Sequence, residues 1–541
     1  MRLFELLKRE TRGLRRDIFV AAGLSGLANA GVLAVINASA QSVSSQTLNA
    51  RYLAIFAVVM AIYILCLRFT FTHTNRIFED VAHQIRVRVA GKIRQNELSV
   101  IEAVGRNEIF NGVTQETRAI ADAAGVLTAA FQALVLVFFA SLYIAVLSLP
   151  AFVVTVGMIA AGLAFYLRRD QETKRGLHEA TAREIEFLDT VGHALDGFKE
   201  ASLKARRAAD LFDALERISK ALKDVRIRTM DVYNANYIFS QSFFYVLIAA
   251  VVFLLPSLIS TYSEVVIEVT TAILFVIGPL SLVVGAIPPF AKANNAAENL
   301  DRLETALDDL HAAAAAAAGA RPPRTSFEEI RLDRVEFAYR HDGQVPFAIG
   351  PITTTIRRGE ILFIVGGNGS GKSTFLKVLT ALYRPARGRL LVDGTVVEGN
   401  EVQPYRELFT AIFSDFHLFD RLYGLLGTDP EHVRGLLAEM QLDTKVDFVD
   451  DRFTSLDLST GQRKRLALVV CLLDDRPIMV FDELAADQDP QFRRYLYEEL
   501  TPALQKRGKT LIIVTHDDRY FHVAGRVVRM EDGRFDVPPP A

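Results

Sequence analysis

Six apolar stretches in the first 300 residues limit what this chain can become. Each approaches or exceeds the roughly 20 residues that cross a bilayer's hydrocarbon core. In lipid, a lone segment satisfies its own backbone groups only as a helix. The predicted spans are 17–40, 51–72, 122–147, 149–168, 236–260 and 265–290. The last four pair across short turns, Ser148-Leu149-Pro150 and Pro256 to Glu264, whereas long charged segments (73–121 and 169–235) follow spans two and four. Basic residues crowd the N-terminus (Lys8, Arg9, Arg12, Arg15, Arg16) and both long segments, and the short loops carry little beyond Arg51. The positive-inside tendency therefore puts the N-terminus, both long loops and the C-terminal half in the cytoplasm. Six spans return the chain to its starting side, so charge and topology agree. A cleaved leader ending at Ala38-Ser39-Ala40 is the competing reading, but the apolar run before it exceeds the usual 7–15 residues and further spans follow.

The remaining composition mostly excludes. A net charge of −2 gives no reason to expect a nucleic acid partner, and two cysteines, Cys66 and Cys471, are too few for a disulfide framework. Residues 291–310 read as a polar helix continuing the sixth span, followed by an alanine run and Arg321-Pro322-Pro323-Arg324, where the proline pair ends helical structure. The expected division is a membrane domain at 1–310, a linker at 311–325 and a second domain at 326–541. In that second domain, short strands near Ile330–Phe337, Glu360–Val365, Ile478–Phe481 and Thr510–Thr515 alternate with helices, which predicts a mostly parallel α/β sheet.

Gly366-Gly367-Asn368-Gly369-Ser370-Gly371-Lys372-Ser373-Thr374 fits the phosphate-loop pattern between a strand and a helix. Its glycines let backbone N–H groups face nucleotide phosphates, with the helix N-terminus adding positive potential. Lys372 would pair with the β- and γ-phosphates and the Ser373 hydroxyl would ligate Mg²⁺, so ATP and Mg²⁺ are the expected ligands. Downstream, Ile478 to Phe481 is an apolar strand ending in Asp482-Glu483. Asp482 is placed to hold the metal, and Glu483 to orient and deprotonate an attacking water.

Between these elements stands Leu458-Ser459-Thr460-Gly461-Gln462-Arg463-Lys464-Arg465-Leu466. The order phosphate loop, Ser-x-Gly-Gln turn and acidic strand end resembles the ATP-binding-cassette (ABC) superfamily. That resemblance implies a six-span helical membrane domain of exporter type fused to an α/β P-loop nucleotide-binding domain. It implies a homodimer as well, because Ser459, Thr460, Gly461 and Gln462 would close on ATP held by a second copy. It further implies an adenine-stacking role for Tyr339, a switch-histidine role for His516, and a water-mediated metal contact for Ser414, which stands where a glutamine is usual. The stretch from Ser414 to Leu458 looks short for the superfamily's helical subdomain.

Phe413-Ser414-Asp415-Phe416-His417-Leu418-Phe419-Asp420, the turn with its basic extension, and Ala486-Asp487-Gln488-Asp489 resemble the bacterial cyclic-peptide exporters, whose members export peptidic siderophore precursors, lipopeptides and a lasso microcin. The implied activity is an ABC transport ATPase that exports a peptide-like cargo across the inner membrane. A lipid or apolar drug is the alternative cargo; a membrane-anchored regulatory ATPase and an importer are further alternatives. A cargo face would gather polar and aromatic groups on one side of a span. Ser25, Asn29 and Ser39 fall within about 80° on the first span, and Tyr233, Tyr237, Ser240, Gln241 and Phe244 within about 100° on the fifth. Val104–Val113 and Leu195–Leu203 are the candidate segments for docking on the ATPase domain.

Overall fold

The computed structural model describes residues 2–10, 16–42, 50–258, 265–309, 322–339 and 347–536. Most of the expected linker and part of the last short turn lie outside them. Two compact units emerge, one comprising Met1–Val89 with Phe110–Arg302 and the other Ala90–Ile109 with Leu303–Ala541.

The first unit is helical. Its principal helices are Arg16–Ser42, Ala50–Gln95, Thr117–Leu147, Leu149–Asp196, Ala205–Ala249 and Val266–Gly285, the second of them running on into the other unit. Among the described residues five helical runs are long and apolar enough to cross a membrane, and a sixth apolar stretch, Leu149–Phe165, is shorter. The helix that contains this stretch continues to Asp196. Pro150 sits in the first turn of this helix, where a missing N–H costs nothing, and Ser148 caps it by accepting from the Ala151 N–H. Small residues (Ala140, Ala151, Ala272) and β-branched ones (Ile144, Val251, Val269, Ile273, Val276) pack with leucines and Phe244 in the core of this bundle. Small side chains let helix backbones approach closely where lipid offers no hydrophobic drive. The second long loop turns at Gly197 into the short helix Phe198–Ser202, and its tip exposes Leu195 (71%) and Leu203 (83%).

The second unit is α/β. A six-stranded sheet runs in the order Arg534–Asp536, Arg526–Glu531, Ile361–Val365, Thr510–Val514, Ile478–Asp482 and Phe409–Ile412. All neighbours are parallel except the first pair. Strands Ile361–Val365, Ile478–Asp482 and Thr510–Val514 are almost entirely buried, as continuous apolar runs covered on both faces should be. Unlike the expected mostly parallel sheet, the domain also contains a four-stranded antiparallel sheet: Ala348–Arg357, Glu329–Ala338, Arg387–Val392 and Thr395–Val396. Between Ser414 and Leu458 there is one helix, Pro430–Glu439, and a small hairpin, Phe448–Val449 with Arg452–Phe453. Cys471 is fully buried against Thr410, and burial pushes its thiol pKa up to about 12, which makes it an inert core residue.

Candidate active site at the carboxyl ends of the parallel strands

In a parallel sheet every strand's carboxyl end lies along one edge, where ligands of such folds collect. Here Ile361–Val365 runs into Gly366–Gly371, Ile478–Asp482 into Glu483, Thr510–Val514 into Thr515-His516, and Phe409–Ile412 into Phe413-Ser414. Register fixes their neighbours, since Val514 lies opposite Asp482 and Ile412 opposite Phe481.

The glycines of the loop are demanded by crowding as well as conformation. Gly366 has φ +151, and a Cβ there would meet the Met530 carbonyl oxygen at 2.1 Å. Gly371 has φ +101, and its Cβ would sit 2.7 Å from Ile349. Lys372 opens the helix Lys372–Leu379, and its Nζ donates to the carbonyls of Gly366 (3.0 Å) and Gly367 (2.9 Å) across the loop. The loop borders an open cleft of about 380 Å³ lined by Asn368, Gly369, Gly371, Lys372, Ser373, Thr374, Glu483 and Phe347.

Asp482 is 1% exposed and its Oδ2 has no hydrogen-bond partner. Burial raises its pKa, opposed by the polar Ser373 hydroxyl and the Ser414 N–H and hydroxyl nearby, while the Glu483 charge adds to the rise. An orphaned buried carboxylate oxygen beside two hydroxyls is a donor set that fits a hard divalent cation such as Mg²⁺. Ser414 lies beside Asp482. Glu483 adopts φ +54, and its Oε1 lies 3.1 Å from His516 Nε2.

Tyr339 is half-buried. Its hydroxyl hydrogen-bonds Thr374 Oγ1 at 3.1 Å, and its ring meets Phe337 and Tyr383 edge-on. Phe347, paired with Tyr339 through the Tyr339 N–H to Phe347 carbonyl bond (3.3 Å), is the aromatic side chain on the cleft. The sequence reading missed it, although an aromatic opening the strand after Tyr339 could have signalled it.

Ser459–Gln462 does not line this cleft. Ser459 caps the helix Thr460–Asp474 in a capping box: its Oγ accepts from the Gln462 N–H and the Gln462 side chain accepts from the Ser459 N–H. Ser459 and Thr460 are exposed.

Part of the first long loop, Ala90–Ile109, belongs to this unit and overlaps the first half of the expected Val104–Val113. Gly105, at φ +87, ends the short helix Leu98–Val104. From that helix and its cap, Glu97 pairs with Arg384, Leu98 packs on the core, and Glu102 accepts from the Tyr383 hydroxyl at 2.5 Å and faces Lys377 at 3.5 Å. Lys377 also faces Asp415 (3.6 Å), the residue after Ser414. Burial, then the Glu102 hydrogen bond, hold the Tyr383 pKa far above its ordinary value, so it remains a donor.

In the helical unit Gln241 Nε2 donates to Tyr237 Oη and to Ser281 Oγ, both at 3.1 Å, a cluster in which Ser281 was not foreseen. Tyr233, Ser240, Asn29 and Ser39 are half-buried, and Ser25 is buried with no partner for its Oγ. Phe244 departs from the polar face: it is buried among Leu33, Ile144, Val251 and Leu280.

Residues 349–486 match the family described as ABC transporter. The chain is 31% identical over 527 residues to the ATP-binding protein SyrD of Pseudomonas syringae pv. syringae, spanning 94% of this chain and 91% of that protein. It is 29% identical over 221 residues to an ATP-dependent lipid A-core flippase of Ralstonia nicotianae, covering 38% of this chain and 37% of the flippase. The solved structure of a bacterial Atm1-family ABC exporter with ATP bound shares the fold, with a TM-score of 0.77 at 16% identity over 96% of this chain and 95% of that one. Since the similarity to SyrD runs through both halves, the chain belongs to the ABC transporter family, as a fused membrane and ATP-binding exporter that couples ATP hydrolysis to transport.

Proposed function

We propose that the chain works as a homodimer in the bacterial inner membrane, its ATP-binding domain in the cytoplasm, and exports a cyclic or otherwise modified peptide. The observation that carries the dimer is the placement of Ser459–Gln462 away from the cleft that holds Lys372, Ser373 and Glu483. A turn exposed elsewhere is free to serve a second copy. The peptide cargo is supported by the resemblance of the 413–420, 458–466 and 486–489 segments to cyclic-peptide exporters. The Tyr237–Gln241–Ser281 cluster supports it too, since hydroxyl and amide groups beside aromatic surface suit an amphipathic peptide.

In the cleft, Lys372 would leave its loop carbonyls for the ATP phosphates, which the loop N–H groups and helix N-terminus also receive. Phe347 borders the same cleft and offers a ring to the base, while Tyr339 braces Thr374 from behind. Ser373 and Asp482 would hold Mg²⁺, with Ser414 reaching it through water; the ion would neutralise charge on the transferred phosphoryl group. Glu483 would orient a water in line with the γ-phosphorus and take its proton as the oxygen attacks and ADP departs. His516, hydrogen-bonded to Glu483, would fix the carboxylate's direction and contact the γ-phosphate.

Reconstitution into lipid vesicles tests the cargo. Inside-out vesicles given ATP and a labelled cyclic peptide should accumulate it, and ATPase activity should rise with peptide. Activity that rises with lipid composition and ignores peptides would instead make the cargo a lipid. Glu102 should separate hydrolysis from its control, because it touches Lys377 and Tyr383 without lining the cleft. Glu102→Gln is expected to keep basal ATPase within about twofold while abolishing peptide stimulation, because its amide oxygen can still accept from the buried Tyr383 hydroxyl and only the partly exposed Lys377 ion pair, worth little stability, is lost.

A further inference from the structure

Lys464 is a buried ammonium, 6% exposed, on the first turns of the helix that Ser459 caps. Its Nζ donates to the Glu483 carbonyl oxygen at 2.8 Å and pairs with the Asp487 carboxylate at 2.6 Å. Removing a charge from water costs several kcal/mol, and an apolar side chain of similar size would fill the space without that cost. The ammonium is therefore tied to what it touches.

One contact is with a strained residue. Glu483 is non-glycine at φ +54, a conformation that persists only where the surroundings over-determine it. Its N–H donates to the Val514 carbonyl at 3.2 Å and its own carbonyl accepts from Lys464. Both sides of the residue are held, and so is the direction of the carboxylate facing His516.

The other contact belongs to a web joining the Ser459 turn to the loop after Glu483. Gln488 Nε2 donates to the Gly461 carbonyl at 2.9 Å, Arg465 donates to Gln488 at 2.9 Å and pairs with Asp489, and the Arg465 guanidinium lies 4.1 Å over the Phe492 ring. A Cβ on Gly461 would fall 2.6 Å from the Asp487 carbonyl oxygen. Turn and loop therefore shift together or not at all.

We propose that Lys464 is a positioning residue that locks the Glu483 peptide and ties it to the Ser459–Gln462 turn, so that ATP closing on this turn in one composite site sets the general base of the other. The inference rests on the reading of Glu483 as that base and of the turn as serving the second copy.

The test uses the full-length dimer in lipid nanodiscs, with ATPase rate against ATP concentration for wild type, Lys464→Met, Lys464→Gln, Lys464→Met/Asp487→Leu and Glu483→Gln. Lys464→Met should lower kcat about tenfold or more, the scale on which a misplaced catalytic group slows reaction. KM and Tm should stay near wild type and the Hill coefficient should fall toward 1. Lys464→Gln, whose amide can still donate to the Glu483 carbonyl, should recover most of the loss. Lys464→Met/Asp487→Leu removes the whole pair and leaves neither charge without its partner, so it should fold as wild type yet remain as slow as Lys464→Met. A double variant with wild-type kcat and Hill coefficient would overturn the proposal, as would a kcat loss that Lys464→Gln does not relieve. Wild-type rates in Glu483→Gln would instead remove the base assignment, a result distinguishable from any behaviour of Lys464.

Discussion

Glu483→Gln should abolish nearly all ATP hydrolysis while leaving ATP binding intact. A positioned general base contributes about 10²–10⁴-fold, so kcat should fall by at least about 10², with the ATP Kd within about twofold of wild type. The amide matches the carboxylate in size and can still meet His516, so the hydrogen bond at 3.1 Å and the cleft's shape survive. The backbone holds from Val514 and Lys464 do not involve the side chain, so φ +54 is kept as well. What disappears is the basicity of the carboxylate, since an amide oxygen is far too weak a base to take the water's proton. Because bound ATP then persists, dimers of the variant should remain associated through their ATP-binding domains. Rate measurements alongside equilibrium nucleotide binding check both halves of this expectation. Hydrolysis within tenfold of wild type would assign the base elsewhere.

The phosphate loop, the Asp482-Glu483 strand end and the Ser-x-Gly-Gln turn were legible because each needs particular residues in sequence. Gly366 and Gly371 must lack a Cβ, and a fully apolar Ile478–Phe481 must be a buried strand. The antiparallel sheet was not legible. In Ala348–Arg357, Gly350, Pro351 and three successive threonines break the alternation that marks a half-buried strand, and its partner Glu329–Ala338 is bulged. Phe347 was hidden for a related reason, since only pairing across a loop sets it opposite Tyr339. The portion of the first long loop that belongs to the ATP-binding unit, Ala90–Ile109, overlaps the expected Val104–Val113 only in part, because the charged sequence gives no sign of where Gly105 will turn the chain. Lys464 and Asp487 stand 23 positions apart, and nothing in either local pattern says that they meet. Phe244 misled through angle alone: helical phase gives direction, and packing decides what lies there.

Two inactive chains should make an active dimer. Lys372→Met removes the phosphate-binding ammonium, and Ser459→Asp puts a carboxylate where the turn would meet a partner's γ-phosphate. Asp is as good an N-cap as Ser, so the helix Thr460–Asp474 keeps its start and the second variant should fold normally. Each homodimer has two damaged sites, and each should lose about 10² or more of its activity, as when a group that stabilises transition-state charge is removed. In the mixed dimer both lesions fall in the same composite site. The other pairs an unaltered phosphate loop from the Ser459→Asp chain with an unaltered turn from the Lys372→Met chain. Co-expression with two affinity tags, and purification through both, isolates that species. It should hydrolyse ATP well above either homodimer, with the remaining shortfall measuring how far one site depends on the other. If each chain served its own cleft with its own turn, the mixed dimer would contain no intact site and stay inactive, so restored turnover and its absence read directly on whether the exposed Ser459 turn belongs to the neighbouring molecule's ATP.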